Sequence, residues 1–222
     1  MRTKCSRERE RESKNAKGER EISNKMGRLW RRLLIAMRLR KAKATLLVVG
    51  LDNSGKTTLA RAIRGFSEAE GGAEKDSVMN VEPTIGFKVE KMDAPYTSGL
   101  RLNIVDMSGQ QCYRELWQTY YEDVQGILFV VDAADPRRFP EAREALLGVV
   151  KHADLEKKPL LLYSNKMDLL SASTGSQVAK EVGLSDLAVH LERAWRLQGC
   201  SVKTGEGVDD GIKWLISTVK SK

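Results

Sequence analysis

Two short stretches of this chain have residue types and spacings suited to holding a phosphate chain and a purine base. The first is Gly50-Leu-Asp-Asn-Ser-Gly-Lys56-Thr57. Glycines at both ends let the loop wrap round an anion, so that its backbone N–H groups and the N-terminus of the following helix face the charge. Lys56 would bring a point charge to the β- and γ-phosphates of a nucleotide, and Thr57 a hydroxyl to Mg2+. The contacts expected here are Asp52, Asn53, Ser54, Gly55, Lys56, Thr57 and Thr58. A glycine turn with an exposed lysine is the plainer reading. Against it, an apolar run precedes the loop and a helical pattern follows, the context that phosphate binding needs.

The second stretch is Asn165-Lys166-Met167-Asp168, after the apolar run Leu160–Ser164. A carboxylate at Asp168 can accept from both N1–H and the exocyclic amine of guanine, and it repels the acceptor edge of adenine. Alone this motif is weak, but its order after the phosphate loop strengthens both. Asp106-Met-Ser-Gly109-Gln110 ends another apolar run. Its aspartate can reach Mg2+ through water, the Gly109 amide can approach a γ-phosphate, and Gln110 can orient a water in line. The Thr84 hydroxyl of Pro83-Thr84 is a further metal ligand candidate. Each of these last two is also ordinary turn chemistry.

The pattern of elements supplies a frame for these residues. Thr45–Val49, Gly126–Asp132 and Pro159–Ser164 are short apolar runs that predict buried strands, and Trp195–Cys200 predicts a weaker one. Ile85–Met92 and Leu100–Val105 flank a turn-like segment and predict a hairpin. Helical spacing covers about Lys56–Arg64, Arg114–Glu122, Pro140–His152, Gln177–Val182 and Val208–Val219, while Ser67–Val81 reads as a loop. Strands alternating with helices imply an α/β fold with a mainly parallel sheet covered on both faces.

Charge is divided unevenly along the 222 residues. Residues 1–43 hold 16 basic and 5 acidic side chains, and the remainder holds 22 basic and 25 acidic. Residues 1–25 are too polar to offset chain entropy and are expected to be a disordered basic extension. In residues 26–43 Leu29, Trp30, Leu33, Leu34 and Met37 fall on one helical face opposite Arg28, Arg31, Arg32 and Arg38. That predicts a basic amphipathic helix suited to an anionic membrane surface. The domain proper would run over 44–222. No run of 18 uncharged apolar residues exists, which excludes a transmembrane helix. The charged first residues do not form a secretory signal. Cys5, Cys112 and Cys200, odd in number and scattered, argue against a disulfide framework or zinc site and favour a reducing compartment.

Together GLDNSGKTT, PTIGF, DMSGQ, YRELWQTYY, FVVDAADP and NKMD resemble the Arf and Arf-like small GTPases, from about Arg28 to Lys220. Within that family DMSGQ, with serine where most members have glycine, is most similar to the Arf-like subtype that recruits the Bardet–Biedl ciliary coat, the BBSome. The resemblance implies a phosphate-loop fold with a mostly parallel six-stranded sheet, helices on both faces and an N-terminal amphipathic helix. It implies GTP/GDP and Mg2+ as ligands, with Gln110 catalytic in slow GTP hydrolysis. Thr84 would lie in the first switch, joining Thr57 on the metal, and Asp106–Gln110 in the second, with Gly109 at the γ-phosphate. Lys166 would lie along the base face, and Asn165 would tie the base loop to the phosphate loop. Ser201-Val202-Lys203 is similar to the loop whose backbone amide meets guanine O6, with Val202 as donor. Lys88–Val105 would be the interswitch hairpin, which in this family slides along the sheet and ejects the N-terminal helix on GTP binding.

The function so implied is a GTP-binding switch that recruits a coat or cargo adaptor to membranes in vesicular or ciliary trafficking. Its partners would be an exchange factor, a GTPase-activating protein and an effector such as the BBSome. The protein would be a monomer, cytoplasmic and reversibly membrane-associated, with the ciliary base or ciliary membrane as a further expected site. Departures from the family pattern are local. The segment from Gly65 to Glu82 is longer than usual, Val105 replaces an aromatic residue, and residues 1–25 have no counterpart. Met26-Gly27 looks like the family's usual start, yet Arg31 stands where an acylation motif wants Ser or Thr. No arginine lies in Val81-Glu82-Pro83, so an arginine for hydrolysis is expected from a partner. A small-molecule kinase or ATPase would share the phosphate loop, but Asp168 disfavours adenine. Nucleic acid is not expected as a partner, because Trp30 is the one aromatic residue of the basic arm and falls on its apolar face.

Overall fold

The computed structural model describes residues 41–68, 83–184 and 192–221. The expected extension over 1–25 and nearly all of the amphipathic segment therefore lie outside the described residues, as does most of the long segment before Thr84. Six strands form one sheet: β1 (Ala42–Val49), β2 (Phe87–Asp93), β3 (Leu100–Met107), β4 (Gly126–Asp132), β5 (Leu160–Asn165) and β6 (Trp195–Gly199). Their spatial order is β2-β3-β1-β4-β5-β6. Every pairing is parallel except the β2–β3 hairpin.

Alternation along the strands makes two cores. Leu47 and Val49 of β1, Ile127, Phe129 and Val131 of β4, and Leu160 and Leu162 of β5 pack on one face. Leu46 and Val48, Leu128 and Val130, and Leu161 and Tyr163 pack on the other. Burial on both faces explains the continuous apolar runs, since neither face can be polar. The first core is closed by α2 (Phe139–Val150), which begins with Pro140 in its first turn, where a missing N–H costs nothing. The second is closed by α1 (Lys56–Glu68) and α4 (Val208–Lys220). Between them α3 (Gly175–Glu181) starts on a capping box of Thr174 and Gln177. Among the described residues, no helix is long and apolar enough to cross a membrane. Cys112 and Cys200 are free thiols.

Several boundaries differ from the sequence expectation. β1 begins at Ala42, so residues 42 and 43, assigned from the sequence to the amphipathic segment, are strand. Lys43 stands in register with Arg101, and the Ala42 amide donates to the Gly99 carbonyl. The exposed side chains of Ala42 and Lys43 hid a strand whose partners are backbone groups. Ser67 and Glu68 extend α1 rather than opening a loop. The stretch expected as a helix over Arg114–Glu122 is a 3-10 helix over Gln111–Tyr120. Ten residues is long for this winding, whose hydrogen bonds are poorer. At three residues per turn, however, Arg114, Trp117 and Tyr120 stand in one row. Arg114 Nε donates to Gly109 O at 3.0 Å, Trp117 Nε1 donates to Ser108 O at 2.8 Å, and Tyr120 packs on Phe87 with ring centroids 5.1 Å apart. The row accounts for the winding.

The parallel strands β1, β3, β4, β5 and β6 all direct their carboxyl ends to one edge, and the chain leaves β1 for neighbours on opposite sides. Such a switch point is where an open α/β sheet leaves a crevice for ligand. Behind it, Tyr163 donates its hydroxyl to Val208 O at 2.6 Å, and a Cβ on Gly211 would meet that hydroxyl at 2.4 Å. Gly211→Ala should therefore destabilise the fold by about 1–3 kcal/mol through overpacking. Urea unfolding should show the loss, and the double variant with Tyr163→Phe should recover part of it.

Candidate nucleotide site

Gly50–Thr57 joins β1 to α1 in a loop that only small residues can shape. Gly50 has φ +137°, and a Cβ there would lie 2.2 Å from Val130 O; Gly55 has φ +95°, and its Cβ would lie 2.3 Å from Asn165 Nδ2. The loop is wound tightly enough that the buried Lys56 Nζ donates to Leu51 O at 2.6 Å. Asp52, Asn53, Gly55, Lys56, Thr57 and Thr58 border a cavity of 260 Å³ with Pro83, Thr84 and Met107–Gln110. The phosphate-loop candidates, both switch candidates and Gln110 thus share one space. Ser54 is buried beside them, with its hydroxyl on Leu51 O at 2.8 Å.

Asp106, at the end of β3, gathers the hydroxyls. Thr57 Oγ1 donates to its Oδ2 at 2.6 Å, Thr84 Oγ1 lies 3.3 Å from the same oxygen, and the two threonine oxygens are 2.9 Å apart. Oδ1 is buried with no hydrogen-bond partner among the described residues. Burial pushes the Asp106 carboxyl up, opposed by the Thr57 hydrogen bond and the Lys56 charge. An orphaned carboxylate oxygen beside two hydroxyls is a donor set for a hard cation that keeps several waters, and Mg2+ fits it. Among the described residues no cluster of three or more His, Cys, Asp or Glu exists to form a different metal cage. Glu90 of β2 also keeps Oε2 buried without a hydrogen-bond partner among the described residues, while Oε1 meets Lys88 Nζ at 3.0 Å.

Gly109 lies hard against the phosphate loop. A Cβ on it would sit 2.2 Å from the Asp52 amide nitrogen and 2.5 Å from Lys56 Nζ, so glycine is required sterically, without a positive φ. Gln110 follows at the cavity wall.

The base loop is built from Asn165, whose amide is spent on both sides. Nδ2 donates to Ser54 O at 2.8 Å, and Oδ1 accepts from the Val202 amide at 3.1 Å. That second bond occupies the amide expected to meet guanine O6. Its N–H is turned inward to Asn165, so a guanine oxygen would have to share it. Ser201 Oγ donates to Asp168 Oδ1 at 2.7 Å and leaves the exposed carboxylate held on one side. Lys166, at φ +66°, places Nζ 2.7 Å from Asp132 Oδ2.

Sequence reasoning missed Asp132, Glu90, Trp117 and a set of charged groups around Glu141. Arg138 Nη2 donates to Asp52 Oδ1 at 2.6 Å, and its Nε donates to Glu141 Oε2 at 2.9 Å. The other Glu141 oxygen accepts from Arg114 at 2.5 Å. The Arg138 guanidinium holds the Asp52 carboxyl below the usual carboxylate range, and with Arg114 it does the same to Glu141. Only the i,i+3 spacing of Arg138 and Glu141 was visible in the sequence.

The sheet order, with a phosphate loop after β1 and a base loop after β5 brought to the same edge, defines a small GTPase of the phosphate-loop fold. Comparison with known proteins agrees. Residues 30–219 match the ADP-ribosylation factor family. ADP-ribosylation factor-like protein 3 of Caenorhabditis elegans is 34% identical over 175 residues, covering 79% of this chain and 87% of the relative. The protein of the same name from Chlamydomonas reinhardtii is 29% identical over 188 residues, covering 85% and 97%. A solved structure of the Arl6 BBS3 small GTPase from Trypanosoma brucei, with the bound nucleotide analogue GppNp, is similar at 26% identity. Its TM-score is 0.69, with 81% of this chain and 99% of that one covered. The chain belongs to the ADP-ribosylation factor family. It is an Arf-like GTP-binding switch that hydrolyses GTP and takes GTP or GDP with Mg2+.

Burial brings the Lys56 ammonium down to about 8 from 10.5, against the opposing charges of Asp106 and Asp52. Between these values the unfolded chain binds a proton that the folded, nucleotide-free chain does not, so stability rises with pH from about 8 and levels off near 10.5. Denaturant titrations across that range should show this rise in the unliganded protein and its absence in Lys56→Met.

Proposed function

We propose that this switch, when loaded with GTP, recruits a coat or cargo adaptor to membranes in vesicular or ciliary trafficking. The observation that carries the reading is an apolar row on β2 and the segment before it. Ile85, Phe87 and Val89, two residues apart, are 76%, 48% and 40% exposed, on a strand at the sheet edge between the two switch segments. Tyr120 and the exposed Leu116 extend it. An exposed apolar row rimmed by elements that respond to a nucleotide is suited to a partner that binds one state only. Val105 lies buried opposite Val89 in the register, so the aromatic expected there is replaced by core packing. The BBSome is the candidate coat, on the strength of the DMSGQ phrase and the likeness to the trypanosome protein.

In the proposed site the amides of Asp52–Thr58 and the Lys56 ammonium hold the phosphates, and the Gly109 amide meets the γ-phosphate. Thr57 and Thr84 would hold Mg2+, with Asp106 accepting from the Thr57 hydroxyl, and the ion would supply charge neutralisation of the phosphates. Gln110 orients the attacking water. Arg114 and Arg138, whose charges reach Lys56, are both bound to Glu141. That commitment supports an activating partner as the source of an arginine, worth about 10³–10⁵ in rate. Asn165, Lys166, Asp168, Ser201 and Val202 hold the base. Asp168→Asn should shift preference from guanine toward xanthine nucleotides, whose 2-oxo group needs a donor. Unchanged GTP affinity in a displacement assay would remove Asp168 from the base site.

The basic amphipathic segment over 26–41 is proposed to bind an anionic leaflet, where each basic residue adds at most about 1 kcal/mol. The protein is then cytoplasmic and reversibly membrane-bound, at the ciliary base or membrane if the coat is ciliary, and acts as a monomer without nucleic acid. GTP-loaded protein should float with anionic liposomes, GDP-loaded protein should largely stay behind, and added salt should weaken the association. Equal flotation of both states, or flotation of Trp30→Glu, would sink this part of the reading.

A further inference from the structure

Ser108 and Gly109 are held from outside the cavity by their carbonyl groups. Trp117 Nε1 takes the Ser108 carbonyl at 2.8 Å, and Arg114 Nε takes the Gly109 carbonyl at 3.0 Å. In a trans peptide the N–H points opposite to the C=O. Fixing the Ser108 carbonyl therefore aims the Gly109 N–H, while fixing the Gly109 carbonyl secures the far side of that residue, where the Gln110 N–H turns to Ser108 Oγ at 3.4 Å. The Trp117 bond is local to its own segment. The Arg114 bond continues through charged groups to the other loop. Arg114 Nη2 meets one oxygen of Glu141 and Arg138 Nε the other, while Arg138 Nη1 and Nη2 grip Asp52 at its carbonyl (3.0 Å) and its carboxylate (2.6 Å).

This path returns to where Gly109 already presses on the Asp52 amide. The loop of Gly109 and the phosphate loop are thus joined twice, once by direct contact and once through the start of α2. Each ion pair is partly exposed and adds little to global stability. Its value is geometric, because each guanidinium forks between two fixed acceptors through charge-assisted bonds, which sets direction as well as distance.

We infer that Arg114, Glu141 and Arg138 are positioning residues that hold Gly109 against the phosphate loop through its carbonyl, while Trp117 aims its N–H, and so set the preference for a triphosphate over a diphosphate. The inference rests on the proposed contact of Gly109 with the γ-phosphate. A brace that only stabilises α2 would weaken both nucleotides alike; this chain of groups acts at the one phosphate that distinguishes them.

The test measures release of a fluorescent, non-hydrolysable GTP analogue and of fluorescent GDP from the full chain with Mg2+. Glu141→Gln should speed release of the GTP analogue about five- to ten-fold and that of GDP less than about two-fold, the loss of a directed charge-assisted contact. Arg114→Lys should behave like Arg114→Met, since an ammonium can serve Gly109 or Glu141 but cannot fork to both. Arg114→Met and Arg138→Met, which act through Glu141, should be non-additive in the ratio of the two release rates. Equal acceleration of both nucleotides, rescue by lysine, or strict additivity would overturn the inference. If Glu141→Gln fails to fold, the lysine variant, which keeps the charge, carries the same comparison. Failure of the unaltered chain to retain either nucleotide would instead overturn the nucleotide reading beneath it.

Discussion

Asn165 is the residue on which the site most depends. Its side-chain amide is buried and donates to Ser54 in the loop after β1 while accepting from Val202 in the loop after β6. Three connections that are far apart in sequence are held at one distance by a single planar group. The contact requires that residue 55 have no side chain, since a Cβ would stand where the amide nitrogen lies. Gly55 is thus needed for its φ and, separately, for the space it leaves to Asn165. A buried amide left half-satisfied costs about 1–3 kcal/mol, so the arrangement tolerates little partial loosening.

Around that anchor the site concentrates charge in a dry place. Lys56 is nearly buried, and Asp106 almost wholly so, with one oxygen lacking a hydrogen-bond partner among the described residues. Burying such groups is unfavourable unless they are paired. Here pairing is incomplete and the ammonium falls back on the Leu51 carbonyl. Phosphate oxygens and a cation would supply the missing partners, so ligand binding and relief of an internal electrostatic cost become one event.

Legibility of the structure in the sequence follows burial and backbone demands. Strands such as Gly126–Asp132 were readable because both faces are covered, and the phosphate loop because its backbone demands glycine at both Gly50 and Gly55. The start of β1 was not readable, since Ala42 and Lys43 are strand by backbone pairing while their side chains face solvent. The 3-10 segment was mistaken for an ordinary helix because apolar residues three apart fit both periods. What decides between them is the position of the Ser108 and Gly109 carbonyls, a tertiary fact. Arg114, Glu141 and Arg138 were invisible for a related reason. Charged residues near a helix start look like solvated surface until the fold shows that two arginines share one carboxylate.

The row formed by Arg114, Trp117 and Tyr120 has one more implication. At three residues per turn the three side chains point the same way; at 3.6 the second swings by about 60° and the third by about 120°. No α-helical winding can keep all three seated, and no single member can leave without removing part of the reason for the tighter coil. The segment therefore works as an alignment gauge: its tight winding seats the Ser108 and Gly109 carbonyls and the Phe87 ring on one row of side chains. The position of the exposed apolar row and that of the loop at the cavity wall are thus set by the same coil.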